Sequence, residues 1–344
     1  TRQWGVPAYQ TRFSDGVIVD GITPPSQLST SFGYESNYSY TLENLLNYHH
    51  TFAQKHDVSA LLGYQEFYKN YYTVDAAKKG LIDESLNQFD EATEMTSTKG
   101  ATQDYATRSV FGRVNYAYNS RYLFEANFRY DGSSRFHKDH RWGFFPSASL
   151  GWRISQEKFW QESKLANIFS DFKIRGSYGV VGDDNVSDYS AFDYLAGYDY
   201  NRGGSVIDGQ YVVGSAPRGL PNQTLSWIKA KILDIGVDMG FFNNRLTAQF
   251  DFFRRLRTGI PESRYDVLLP SEVGFGLPKE NLRSDLHIGY DAMVRWADNI
   301  NDFNYSVGAN VTYSRFYDWE QYDDRRSNSW DRYRNSIWHR VGYI

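Results

Sequence analysis

The stretch RYLFEANFRYD, residues 121–131, alternates without a break. Tyr122, Phe124, Ala126, Phe128 and Tyr130 share one side of an extended chain. Arg121, Leu123, Glu125, Asn127, Arg129 and Asp131 share the other, because successive side chains on a strand point to opposite faces. A slip of one residue would exchange the two faces completely. In a bilayer that slip is heavily penalised, since an arginine at mid-depth on the lipid face costs about 2–4 kcal/mol. The stretch therefore reads as a membrane-crossing strand with an aromatic outer face.

The same period-2 pattern recurs along the chain. Ala148, Leu150, Trp152 and Ile154 oppose Ser147, Ser149, Gly151 and Arg153. Phe172, Ile174, Tyr178 and Val180 oppose Lys173, Arg175 and Ser177, and Leu233, Ile235, Val237, Met239 and Phe241 oppose Asp234, Gly236, Asp238 and Gly240. Ile288, Tyr290, Val294 and Trp296 oppose His287, Asp291 and Arg295, and residues 303–313 repeat the alternation. Strands are expected at about 38–52, 57–75, 106–118, 121–131, 142–154, 170–180, 226–241, 245–257, 286–298 and 303–315. Each reaches the roughly 9–11 residues that cross a bilayer as a tilted strand, well beyond the usual globular length.

Connections point the same way. Short turns fall near residues 54–56, 119–120, 243–244 and 299–301, and long connections near 76–105, 132–141, 181–225, 258–285 and beyond 316. Transmembrane barrels alternate short periplasmic turns with long outer loops. Residues 155–169 form an exception, a periplasmic link long enough for a helical turn. Tyr116, Tyr118 and Tyr122 flank one short turn, Phe241 and Phe242 another, Trp296 and Phe303 a third, as interfacial aromatics would.

Composition is consistent with this reading. Tyr 28, Phe 23 and Trp 9 make up 17% of 344 residues, an enrichment that favours strands and membrane interfaces. No run approaches 18 apolar residues, so no transmembrane helix is expected. The negative mean hydropathy does not argue against a barrel, whose strands average apolar with polar positions. A net charge of -4 carries no footprint for nucleic acid, and zero Cys excludes disulfides, thiolate catalysis and cysteine zinc sites.

Three segments in order carry a resemblance: RYLFEANFRYDGSSRF (residues 121–136), RWGFFPSASLGWRISQEKFW (141–160) and FKIRGSYGVVGDDN (172–185). Together they closely resemble the barrel of the SusC/RagA family, the TonB-dependent outer-membrane importers of Bacteroidetes-type bacteria. The dense resemblance spans about residues 105–185. It implies an all-β, antiparallel transmembrane barrel of about 22 strands, an N-terminal plug and a periplasmic TonB-interacting segment. It also implies a SusD-like surface lipoprotein over the mouth, and glycan fragments or oligopeptides as cargo driven in through TonB. Outer-membrane lipid and lipopolysaccharide are the expected surroundings, and no cofactor is implied. The chain shows neither plug nor TonB box, and about ten strands cannot close, because an open sheet edge is costly in lipid. Residues 1–344 are thus expected to be a portion of the barrel domain of a longer polypeptide, with the plug and C-terminal strands outside it. Asp183 departs from the asparagine more usual in the family.

Catalytic patterns are weak. His137 and His140 in HKDH lack a ligand cluster at metal spacing and read as a solvated loop. His49 and His50 point to opposite faces. Asp183, Asp184 and Asp188 lack calcium-loop spacing, and the adjacent Asp323 and Asp324 lack the separation that glycosidase acid–base work needs. No GxSxG, HExxH or Walker pattern occurs, so no enzyme is expected. Recognition is expected instead in the loop aromatics: Tyr189, Tyr194, Tyr198 and Tyr200 in the 181–225 connection, and Trp319 and Trp330 near the C-terminal end. Two rivals stand beside the importer: a passive barrel or surface adhesin without energy coupling, and a soluble all-β carbohydrate-binding protein. The last predicts strands nearer six residues and aromatics buried in a closed core.

Overall fold

A computed structural model describes residues 2–4, 10–14, 17–21, 28–81, 88–185, 192–264, 267, 269–320 and 329–330. Three short strands come first, β1 (Arg2–Trp4), β2 (Gln10–Ser14) and β3 (Val17–Gly21). Then follow β4 (Ser29–Phe52), β5 (His56–Lys79) and β6 (Glu94–Tyr118), of 24, 24 and 25 residues. The remaining strands are β7 (Tyr122–Ser133), β8 (Trp142–Arg153), β9 (Phe169–Asp183), β10 (Tyr198–Ile207), β11 (Gln210–Pro217), β12 (Ile228–Phe241), β13 (Leu246–Glu262), β14 (Glu280–Ile300) and β15 (Phe303–Glu320). The chain folds as two compact units, residues 1–41 with 67–106, and residues 42–66 with 107–344.

In the first unit β1 pairs with β4 and β2 with β3, both antiparallel. Tyr38 and Tyr40 flank the Tyr68 ring at 5.8 and 5.5 Å. The Tyr68 hydroxyl donates to Asp104 at 2.6 Å, and Asn70 donates to the same oxygen at 2.9 Å. This unit corrects one expectation. Residues 76–105 are not a long loop, since β5 runs on to Lys79 and β6 starts at Glu94. The run TSTKGATQDYAT (96–107) is polar but rich in β-branched threonine, so it carries strand propensity without apolar alternation.

In the second unit the ladder runs β4-β5-β6-β7-β8-β9-β12-β13-β14-β15. Every ladder from β6 to β15 is antiparallel between its neighbours. Asn119 and Ser120 turn with φ of 49° and 55°, the left-handed pair at the centre of a tight turn that the Arg121 N–H closes on the Tyr118 carbonyl at 2.9 Å. Faces named from sequence coincide across the ladder: Val114, Ala126, Ala148, Tyr178 and Leu233 lie in one register row. The opposite face is polar and cross-linked, with Arg113 donating to Asn127 at 2.8 Å and Asn127 to Glu125 at 2.8 Å. On the apolar face Leu150 is 64% exposed and Val307 69% exposed, on strands of 12 and 18 residues. An apolar surface this continuous is built for lipid, and the other face lines the lumen.

Aromatics border the apolar face at both ends. At the short-turn end Tyr122 stacks with Tyr118 and Trp152, at 6.3 and 6.4 Å. At the loop end Tyr130 stacks on Trp142 at 4.9 Å and Tyr290 on Tyr313 at 5.4 Å. The link after β8 forms the expected helical turn, α1 (Lys158–Gln161). Trp160 on it stacks on Phe172 at 5.0 Å.

Glu157 just before α1 accepts from the Tyr122 hydroxyl at 2.6 Å, the Trp152 indole at 3.2 Å and Arg121 at 3.2 Å. The Tyr122 hydrogen bond leads the causes that hold its carboxyl below the usual range. A depressed carboxyl contributes stability above its unfolded pKa and loses it as pH falls through the folded one. Glu157→Ala is therefore expected to lower the melting temperature of the detergent-resistant barrel near neutral pH. The gap from wild type should close on acidification, read by gel mobility against temperature.

Candidate functional site

Charge collects on the lumen face of β9, β12, β13 and β14. Arg175 reaches Asp251 at 2.7 Å, Asp238 at 3.1 Å and Asp234 at 3.4 Å. Lys173 adds a contact to Asp238 at 3.3 Å, and Asp291 stands directly opposite Asp251 in the ladder. The alternation of β9 puts Arg175 inward because Ile174 and Tyr178 face lipid. Gly236, opposite both Arg175 and Asp251, makes room for them: a Cβ there would lie 2.0 Å from Asp251 Oδ1 and 2.8 Å from Arg175 Cζ. Asp57, Glu125, Lys173, Arg175 and Asp234 contribute to a hollow of about 460 Å³ in this wall. Such a surface offers hydrogen-bond donors and acceptors of both charges to a polar solute or a polar protein segment.

At the loop end the connection between β9 and β12 is pinned. Phe136, Phe145, Leu225, Trp227 and Ile228 bury one another, with Val180 and Ile260 packed against them. Trp227 sits 5.5 Å from Phe136 and 5.1 Å from Phe145, and its indole N–H donates to the Arg141 carbonyl at 2.9 Å. Gly182 leaves space for the Phe145 ring, which would lie 2.0 Å from a Cβ there. Asn281 ties down Ser226 through both its amide and carbonyl, at 2.8 and 2.9 Å, and Ser133 donates to Asp184 at 2.5 Å.

From this anchored connection projects the β10–β11 hairpin, closed by Asp208 and Gly209 with φ of 51° and 75°. Tyr198, Tyr200 and Tyr211 on it are exposed, Tyr200 by 83%. The hairpin went unread in the sequence, although Asp-Gly between SVI and QYVV is its usual turn chemistry. Tyr194 lies apart from it, its ring 5.9 Å from His137, whose imidazole also meets Asp139 at 3.2 Å. Trp319 lies elsewhere, with the Arg254 guanidinium 5.9 Å from its ring. Trp330 is exposed in a short helical stretch, and Tyr189 lies outside the described residues. Neither Arg175 nor Trp227 drew attention in sequence, since an alternating arginine and a loop tryptophan look ordinary until the ladder brings their partners together.

The chain matches the family model described as "TonB dependent receptor-like, beta-barrel" over residues 2–343. It is 30% identical to TonB-dependent receptor P39 of Formosa agariphila, covering 80% of this chain and 26% of that protein. It is 35% identical to TonB-dependent receptor SusC of Bacteroides thetaiotaomicron, covering 61% of this chain and 21% of that one. Among solved structures, the RagAB peptide importer in its open-open state aligns with a TM-score of 0.73 and 26% identity, over 86% of this chain and 31% of that chain. The chain thus spans about a quarter of the length of the curated relatives it matches. With its lipid-facing ladder and alternating connections, the chain belongs to the TonB-dependent receptor β-barrel family, as outer-membrane barrel wall of the SusC/RagA type.

Proposed function

We propose that the receptor containing this chain imports a large nutrient, a glycan fragment or an oligopeptide, through TonB-driven displacement of a plug. A SusD-like surface lipoprotein closes over its mouth, and the β10–β11 hairpin is part of what that lid and the cargo meet. The observation that carries this reading is the hairpin itself: tyrosines left exposed on an arm whose base is buried and hydrogen-bonded. Flat amphipathic rings on a preorganised arm suit stacking on sugars or packing against a protein. Family membership favours energised transport over the passive barrel or adhesin. The ladder's strand lengths, 12 to 25 residues, are those of a membrane wall and not of a soluble sandwich.

The test uses the full-length receptor with its lipoprotein. Changing Tyr198, Tyr200 and Tyr211 together to serine should weaken lipoprotein capture or uptake by about tenfold or more, with barrel insertion unchanged. Uptake that persists without TonB would favour the passive barrel. Unaltered capture and uptake in the tyrosine variant would remove the hairpin from the mechanism.

A further inference from the structure

Outside the lumen, one patch of the lipid-facing wall has unusual charge. In the register row Leu233–Arg254–Ile288–Arg315, two arginines point outward beyond the Phe252, Tyr290 and Tyr313 band at the loop end. Lys231, one step farther along β12, lies on the same face. Arg254 and Arg315 are two strands apart, about 10 Å, and Lys231 is diagonal to Arg254 at about 7–8 Å. Among the described residues none of the three forms an ion pair. The acids of these strands at this level, Asp234, Asp251, Asp285 and Asp291, occupy the opposite register and face the lumen.

Across β9, β8 and β7 the same register row is uncharged, continuing through Tyr178, Ala148 and Ala126. Arg108 on β6 is outward too, but Glu66 neutralises it at 2.6 Å. Aromatic rings hold the patch cations without cancelling their charge: Arg254 lies 5.9 Å from Trp319 and Arg315 5.1 Å from Tyr317. Three uncompensated cations within one step of each other repel, and they stand where an apolar surface gives way to headgroups. Guanidinium forks match phosphate oxygens in geometry as well as charge.

We propose that this face binds the phosphorylated headgroup of a glycolipid of the outer leaflet, lipopolysaccharide by class. Its phosphates sit among Lys231, Arg254 and Arg315, and its acyl chains lie along Phe252, Tyr290, Val311 and Tyr313. A free phosphate would answer the charges and leave the apolar rows bare; a single amphiphile answers both. The inference rests on the membrane placement of the wall and not on the import reading.

The test is native mass spectrometry of the full-length receptor in mild detergent, with purified lipopolysaccharide, its dephosphorylated form and inorganic phosphate as probes. Wild type should retain the phosphorylated lipid, and Lys231→Gln/Arg254→Gln/Arg315→Gln should bind it about tenfold or more weakly. Arg108→Gln should bind as wild type does. Equal binding by the triple variant, equal binding of the dephosphorylated lipid, or displacement by millimolar inorganic phosphate would each overturn the proposal. Should the triple variant fail to give a heat-modifiable barrel, the comparison of the two lipids on wild type decides. Substrate uptake is not read, so failure here and failure of the import reading are distinct results.

Discussion

Trp227→Ala is expected to free the β10–β11 hairpin from the wall while the ladder beneath it stays intact. Trp227 is 8% exposed, touches Phe136 and Phe145, and closes a hydrogen bond to the Arg141 carbonyl. Truncating a buried tryptophan costs about 3–5 kcal/mol, from lost burial and the cavity left behind. That loss falls chiefly on the local opening of the connection, because Trp227 itself, with Phe136 and Leu225, lies outside the strands, while Phe145 and Ile228 keep their ladder pairings. Opening should become on the order of a hundredfold to a thousandfold more frequent, since about 1.4 kcal/mol is a factor of ten. Limited proteolysis of the full-length receptor should then cut within residues 184–227, with the melting temperature of the detergent-resistant barrel near wild type. Gly182→Ala, which drives a methyl into the Phe145 ring, should reproduce the cutting. If the two variants remain as resistant as wild type, the cluster is not what anchors the arm.

Trp227 also shows where sequence reading reaches its limit. The ladder was legible because the lipid face is predominantly apolar, so a slip would put Arg121, Glu125, Arg129 and Asp131 in hydrocarbon in 121–131, and Asn304, Ser306, Asn310 and Thr312 in 303–313. Turn positions were legible from asparagine pairs such as Asn243–Asn244. The extensions of β5 and β6 were not, because beyond the bilayer Thr96, Thr98 and Thr102 no longer obey an apolar code. The site was legible only as aromatic excess in loops. Which aromatics anchor (Trp227, Phe145) and which are offered to solvent (Tyr198, Tyr200) depends on contacts between residues more than 80 positions apart, as for Trp227 and Arg141. Trp319 illustrates the reverse case. Assigned to a loop by sequence, it ends β15 beside Arg254, because that strand runs on to Glu320.

Arg175→Met should be the most damaging single change within the wall itself. It leaves Asp234, Asp238 and Asp251 without their shared cation, and Asp251 still faces Asp291 across the ladder. Breaking a fully buried pair costs about 3–5 kcal/mol, and partial exposure screens this one, so about 2–3 kcal/mol is the expected loss. The measurement is the melting temperature of the detergent-resistant barrel in the full-length receptor. Asp251→Asn alone should cost less, because it removes one of two facing carboxylates along with one partner of the arginine. Combined with Arg175→Met, it should recover part of the loss, so the two changes are non-additive as expected for residues sharing one network. Gly236→Val should resemble Arg175→Met, since its side chain would occupy the space that the guanidinium and the Asp251 carboxylate now fill. Strict additivity would mean that these charges are solvated independently and that the lumen wall holds together through its backbone ladder alone. Non-additivity would mean that a fixed, net-acidic surface has been built into the channel wall at the height where Gly236 lets it form.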